Sequence, residues 1–220
     1  MKPKLVVWGT SGHAKVIADI LKLRDEFQIV GFLDDVNIER QGKTFLGLPI
    51  LGGREKLDEL VSTGVEYLIL GFGECHSRLE LAGLVHSKGF RFASAIHPRS
   101  IIARDVSIGE GSVIVAGAVV NPGSRLGEQV IINTCASVGH DCTIHIAAHI
   151  APGVRIGGCS TVGLATWIGI GAVINDHVRI GNNCIIGAGT VVLKDLPDNV
   201  MAYGVPARII RNLDFDETQD

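Results

Sequence analysis

Along this 220-residue chain the spacing of apolar positions changes character once. Up to about residue 90, strand-length apolar runs alternate with helical spacing. Leu5-Val6-Val7-Trp8 is a buried-strand run that meets the turn Gly9-Thr10-Ser11-Gly12-His13. Val16, Ile17, Ile20 and Leu21 then recur at helical spacing over Ala14 to Leu23, and Gln28 to Leu33 forms a second strand ending in Asp34-Asp35. Leu51-Gly52-Gly53 precedes a helix, Tyr67 to Leu70 is a strand opening into Gly71-Phe72-Gly73, and Ser77 to Lys88 is a helix. Alternation of this kind predicts an α/β domain, a small Rossmann-like parallel sheet flanked by helices.

From Ile96 the period becomes six. Every sixth residue from Ile96 to Val192 is Ile, Leu or Val, seventeen positions without an exception. Four residues after each of the first sixteen stands a small or β-branched residue, from Ser100 through Cys142 to Thr190. Gly follows the aliphatic directly at 109, 127, 139, 157, 163, 169, 181 and 187, where a corner is expected to need unusual dihedrals. A hexapeptide repeat is the reading: three hexads make one triangular coil with the sixfold aliphatics pointing inward. The predicted division is therefore 1–92, 93–200 and a tail 201–220, with the linker near Phe92 to Arg99. Stacked coils present three flat faces, and closed packing of such prisms predicts a homotrimer.

Composition narrows the function. The chain is 46% hydrophobic but only 5% aromatic, and a net charge of −3 argues against a nucleic-acid partner. No run approaches the about 18 apolar residues that a membrane helix needs, and the opening Met1-Lys2-Pro3-Lys4 lacks a leader pattern, so a cytoplasmic location is expected. Five Cys without a C-x-x-C pair read as small buried side chains, assigned neither to disulfides nor to a metal.

Candidate chemistry falls in both halves. His140 stands two residues past the inward Val138, projects from the coil and is followed by Asp141, which suits a group that exchanges protons near neutral pH. His149 lies half a coil onward, and periodicity alone does not rank it against His145 or His177. Near the start, Gly9-x-x-Gly12 between strand and helix suits close approach to a phosphate. Asp34, 22 residues beyond Gly12, imitates the ribose-binding acid of a dinucleotide fold, although the full G-x-G-x-x-G is missing.

Taken together, G-T-S-G-H at Gly9 to His13, F-L-D-D at Phe32 to Asp35, the hexads, V-G-H-D-C at Val138 to Cys142 and G-V-P-A at Gly204 to Ala207 give a resemblance over the whole chain. It resembles the sugar acyltransferase family that includes sialic acid O-acetyltransferases and the bacillosamine and perosamine N-acetyltransferases. That resemblance implies a left-handed parallel β-helix and transfer of acetyl from acetyl-CoA to an amine or hydroxyl of a sugar or nucleotide-linked sugar. It implies that His140 is the general base, with Asp141 orienting the imidazole and stabilising its protonated form. His149, Gly158, Ile170 and Ala188 are implied contacts of coenzyme A, where a backbone N–H would hold the thioester oxygen. Ser11, Gly12, His13, Asp34, Asp35 and Gly73 are implied contacts of the nucleotide-sugar. Where relatives usually carry polar amides and an Arg, this chain reads Gly73-Glu74-Cys75-His76-Ser77-Arg78, so the motif leaves the nucleotide undefined. No metal is implied. Two other readings are a γ-type carbonic anhydrase-like β-helix with His140, His145 and His149 as metal ligands, or a non-catalytic scaffold, and a nucleotidyl or dinucleotide-dependent enzyme driven by the N-terminal domain.

Overall fold

The structure is a computed structural model that describes residues 2–214. The chain divides into two compact units, Met1–Pro98 and Arg99–Asp220. The boundary lies six residues beyond the expected 92, and the end of the 201–220 tail, from 215 onward, falls outside the described residues.

In the first unit a six-stranded sheet has the order β3-β4-β2-β1-β5-β6. Its strands are β1 (Lys4–Trp8), β2 (Gln28–Leu33), β3 (Thr44–Phe45), β4 (Leu48–Gly52), β5 (Val65–Leu70) and β6 (Arg91–Phe92). β1 runs parallel to both β2 and β5. Leu5, Val6 and Val7 are all 0% exposed, as expected of a parallel strand covered on both faces. Helix α1 (Gly12–Arg24) starts two residues earlier than the apolar spacing suggests. Ser11 caps it, its Oγ accepting from His13 N and Ala14 N, and Asp25 ends it in the left-handed region at φ 56°. The helix expected after Gly53 is a 3-10 turn, Arg54–Lys56, followed by α2 (Leu57–Ser62), and α3 covers Cys75–Ser87. No apolar period announces the antiparallel β3–β4 hairpin, which turns at Leu46 (φ 51°) and Gly47 (φ 79°). Because β1 leads to β2 on one side and β5 lies on the other, the loops leaving β1 and β5 diverge at their carboxyl ends, the place where such sheets open a crevice.

The second unit is the left-handed parallel β-helix. Two-residue strands stack with partners 18 residues apart on three faces. The first face carries Val113–Ile114, Ile131–Ile132, His149–Ile150, Trp167–Ile168 and Ile185–Ile186. The second runs from Ile101–Ile102 through Ser137–Val138 to Val191–Val192, and the third from Ser107–Ile108 through Thr143–Ile144 to Arg179–Ile180. All sixfold aliphatics from Ile114 to Val192 are buried, each second in its strand. The fourth-position residues line the interior too: Ser124 Oγ donates to Gly139 O (2.7 Å) and accepts from Cys142 N (3.2 Å), and Thr166 repeats this with Gly181 O and Cys184 N. Val200–Tyr203 extends the first face, and the Gly204 to Ala207 segment turns the chain into the antiparallel Arg208–Asn212.

The glycines after the aliphatics have a different cause from the one expected. None of the eight has a positive φ; instead a Cβ at Gly139 would stand 2.5 Å from Gly158 N, and one at Gly127 2.8 Å from Ile146 N. They are small because successive coils touch there. The left-handed residue comes two positions later and recurs every six residues, at Gly111, Gly117, Gly123, Gln129, Cys135, Asp141, Ala147, Gly153, Cys159, Ala165, Gly171, His177, Asn183 and Gly189. This also corrects the cysteine reading. Cys75, Cys142 and Cys184 are buried, but Cys135 and Cys159 occupy left-handed corner positions and are exposed.

Candidate functional site

In the α/β unit the motif residues gather at the carboxyl ends of β1, β2 and β5. Gly9 has φ 127° and packs so that a Cβ would meet Gly71 O at 3.1 Å, which holds the two diverging loops together. Ser11 ties them further, its Oγ donating to Gly71 O at 2.7 Å, so this hydroxyl is engaged in the fold. Asp34 is 3% exposed and accepts from Thr10 Oγ1, Val36 N (3.0 Å), Asn37 N (2.9 Å) and Asn37 Nδ2 (3.0 Å). Burial would raise its carboxyl, but the bonds from Thr10, Asn37 and Val36 outweigh that and hold it below the usual carboxylate range. Both oxygens therefore organise the loop, unlike a ribose-binding acid. Asp35 accepts from Trp8 Nε1 (2.9 Å) and Arg54 N (2.7 Å).

A cleft of about 330 Å³ opens here, bounded by Trp8, Asp35, Phe72, Glu74 and Ser77. Glu74 stands where relatives' amides were expected and caps α3, accepting from His76 N (3.1 Å) and Ser77 N (2.5 Å), which outweighs its burial and lowers its carboxyl. Gly73 contributes its carbonyl to Arg78 Nη1 at 2.5 Å. Arg78 is 1% exposed, and that burial depresses its pKa; it braces the loop from inside. Around the start of α1 a second, open cleft of about 480 Å³ takes in Ser11, Gly12, Lys15, Arg40 and Lys43. Arg40 Nη1 donates to Thr10 Oγ1 at 3.2 Å. The three cations were missed in the sequence because two of them lie in the segment before β3 that shows no periodicity. His13 is the second residue of α1 and half-buried.

On the β-helix, His140 and Asp141 form an exposed corner between the second and third faces. His140 Nδ1 donates to Asp141 Oδ2 at 2.8 Å, with side chains 63% and 65% exposed. The left-handed backbone at Asp141 (φ 56°) turns its carboxylate back to the ring. Nε2 then carries the free lone pair, and it lies over Gly158, where a Cβ would stand only 2.5 Å away. Gly158 is thus the floor under His140, one coil on.

Ile170 and Ala188, expected beside Gly158, are themselves one coil apart, at the corner that follows the first face; both are exposed. His149 belongs to that first face. It is 8% exposed, stacks on Trp167 (centroids 6.0 Å apart, planes at 17°) and meets Asn133 Nδ2 through Nε2 at 3.2 Å. Asn133 Oδ1 already accepts from Thr134 N at 2.8 Å, which orients its amide and makes His149 Nε2 the acceptor. Asn133 and Trp167 were invisible to the motif reading because their partners are 16 and 18 residues away. Within one chain, then, the predicted residues fall at two different corners of the prism.

The three histidines of the metal-ligand reading are not brought together. His145 starts the corner after the third face and His149 sits on the first, and among the described residues His140 shares donor-atom proximity with Asp141 and Cys159 instead. Cys142 is buried, and desolvation pushes its thiol up, so it is no nucleophile. Among the described residues no helix is long and apolar enough to cross a membrane.

Residues 4–84 match the PglD N-terminal domain, and residues 159–194 match the bacterial transferase hexapeptide (six repeats) family. The UDP-N-acetylbacillosamine N-acetyltransferase of Bacillus subtilis (strain 168) is 34% identical over 115 residues, 51% of each protein, so the chain spans about half the length of the curated relative it matches. Among solved structures, a histidine-to-asparagine mutant of perosamine N-acetyltransferase from Caulobacter crescentus, in complex with CoA and GDP-perosamine, superposes with a TM-score of 0.90 at 35% identity, covering 95% of this chain and 97% of that one. The acetyltransferase domain of PglB from Neisseria gonorrhoeae FA1090, in complex with acetyl coenzyme A, gives 0.88 at 33% identity, covering 96% and 100%. The chain belongs to the hexapeptide-repeat sugar acyltransferase family of the bacillosamine and perosamine N-acetyltransferases.

Proposed function

We propose that this protein transfers an acetyl group from acetyl-CoA to the amine of a nucleotide-linked sugar, with His140 as general base. The observation that carries this is the His140–Asp141 pair: an exposed imidazole whose Nδ1 is held by a carboxylate and whose Nε2 is left to accept. An amine must be neutral to attack a thioester and must lose a second proton as the tetrahedral intermediate forms. A positioned acceptor that takes this proton contributes about 10² to 10⁴ in rate. Asp141 keeps the ring in one orientation and offsets the positive charge it gains. His149, fixed by Asn133 and Trp167, and the exposed corner of Ile170 and Ala188 make up the coenzyme A side, with backbone N–H groups facing the oxyanion. Because these two sets lie at different corners of one prism, the reading places His140 of one subunit opposite the other set on its neighbour, which requires the homotrimer. In the α/β unit, the cleft bounded by Trp8, Phe72 and Asp35 suits a nucleobase, and Lys15, Arg40 and Lys43 suit its phosphates. No metal takes part in the reaction as derived.

The test is coenzyme A release from acetyl-CoA in the presence of GDP-, UDP- and dTDP-linked amino sugars, run beside the matching hydroxy-sugars. Turnover confined to amino-sugar nucleotides is expected. Turnover on free sugars, or on hydroxyl acceptors alone, would refute the proposal.

A further inference from the structure

We propose that the His140 corner is also a binding site for a soft divalent cation of the zinc class, held by the His140 imidazole, the Asp141 carboxylate and the Cys159 thiolate, and that its occupancy blocks acetyl transfer. The blocking half rests on the reading of His140 as the base; the binding half does not. One donor atom from each of these three residues lies within 4.8 Å of the other two, and all three are exposed. The repeat creates this juxtaposition. Asp141 and Cys159 are 18 residues, one coil, apart and both adopt the left-handed conformation (φ 56° and 57°), so their side chains leave neighbouring coils in the same direction. Neighbouring strands of a sheet are about 4.8 Å apart, so side chains leaving adjacent coils in the same direction come within reach of one ion. Cys159 N donates to His140 O at 2.8 Å, which locks the two corners in register, and Gly158 has no side chain to keep the ring from the thiol.

With Zn–S near 2.3 Å and Zn–N or Zn–O near 2.0 to 2.2 Å, tetrahedral ligands stand roughly 3.3 to 3.7 Å from one another. His140 Nδ1 and Asp141 are already closer than that, at 2.8 Å, and Cys159, within 4.8 Å of both residues, has to move by no more than about 1.5 Å, a rotamer adjustment for an exposed side chain. A sulfur and an imidazole nitrogen select zinc or cobalt over magnesium or calcium. One coil further, His177 continues the left-handed column, but its Nε2 faces Asp176 Oδ2 at 3.9 Å and it is no part of the set. A metal on His140 Nδ1 displaces the proton shared with Asp141 and leaves the ring proton on Nε2, so the nitrogen that would accept the substrate proton becomes a donor.

Cobalt(II) titration of the purified full-length protein tests binding without reference to activity. A thiolate-to-cobalt charge-transfer band saturating at one equivalent per chain is expected. It should vanish in Cys159→Ser and in His140→Ala and persist in Cys135→Ser, which removes the other exposed cysteine. No band in the native protein, or a band that survives Cys159→Ser, overturns the site. For the blocking half, acetylated product is followed by chromatography, since zinc also binds the coenzyme A thiol. Cys159→Ser should keep basal turnover and need at least tenfold more zinc for half-inhibition, whereas equal zinc sensitivity overturns that half. Cobalt binding by a protein that acetylates no acceptor would support the site while sinking the proposed function, so the two failures are distinguishable.

Discussion

At the ends of β1, β2 and β5 the acidic side chains are occupied by the chain itself: Asp34 holds Thr10, Val36 and Asn37, Asp35 holds Trp8 and Arg54, and Glu74 caps α3. At the β-helix corner the polar groups are occupied by each other only, His140 with Asp141, and both stand in solvent. The difference follows from the backbone. Irregular loops after parallel strands leave N–H groups that need acceptors, and short carboxylates supply them. A coil corner satisfies its own backbone N–H from the preceding coil, as Asp141 N does with Pro122 O and Cys159 N with His140 O. Its side chains are therefore free for chemistry. In the α/β unit, motif acids shape a cleft; in the β-helix Asp141 stands in solvent and holds only the His140 ring.

If that contrast is right, the largest effects of substitution come from the corner. His140→Ala should lower kcat by roughly 10² to 10⁴ with thermal stability nearly unchanged. Gly158→Ala should act through the same ring: its new Cβ stands 2.5 Å from Nε2, so the imidazole must move. A displacement of about 1 Å at a reacting group costs on the order of 10²-fold in kcat. Steady-state kinetics beside a melting curve would check both, and a Gly158→Ala enzyme with native kcat would contradict the placement of the base.

In the α/β unit the corresponding substitution should affect stability. Asp34→Asn removes a charged acceptor from four donors and should cost about 1 to 3 kcal/mol at neutral pH. The sign of its pH dependence follows from its lowered carboxyl. The folded state holds the proton less tightly than the unfolded chain, whose ordinary value is near 3.8, so the contribution is complete above that value and is lost as pH falls through the folded one. Trp8 alone reports on this unit in a Trp167→Phe background. Urea titrations between pH 7 and pH 2 should show an acid loss that Asp34→Asn reduces, the remainder coming from Glu74, whose carboxyl is also lowered. An unchanged acid slope would mean that another group supplies the linkage.

The smallest effect tests the corners themselves. Cys135 is exposed at φ 56°, a conformation that costs a side-chain-bearing residue roughly 1 to 2 kcal/mol and glycine little. Cys135→Gly should therefore raise stability by about 0.5 to 1 kcal/mol after the added chain entropy of glycine. Cys142→Gly, at the buried fourth position, should lower it. Calorimetric melting of the two variants would decide, and destabilisation by both would argue against a left-handed requirement at the corner.

The sequence by itself determined the β-helix, its period and the inward direction of residues such as Ile114 and Cys142, because a repeat that contacts only its neighbours writes its geometry into local spacing. It also determined that His140 projects, and it located β1, α1, β2, β5 and α3 to within about two residues, since each buries an apolar face with its own period. Only the tertiary structure decided where the left-handed corners fall, because six residues of spacing do not say which one turns. The contact between coils at Gly139, the His140 ring over Gly158 and the Cys159 thiol, and the Asn133–His149–Trp167 set were likewise decided there. Each joins residues 16 to 19 positions apart, across a coil rather than along it. The commitment of Asp34 and Glu74 to their own loops belongs to the same class: a carboxylate in a loop motif reads alike whether its partner will be a ligand or a backbone N–H, and only the folded chain supplies the donor.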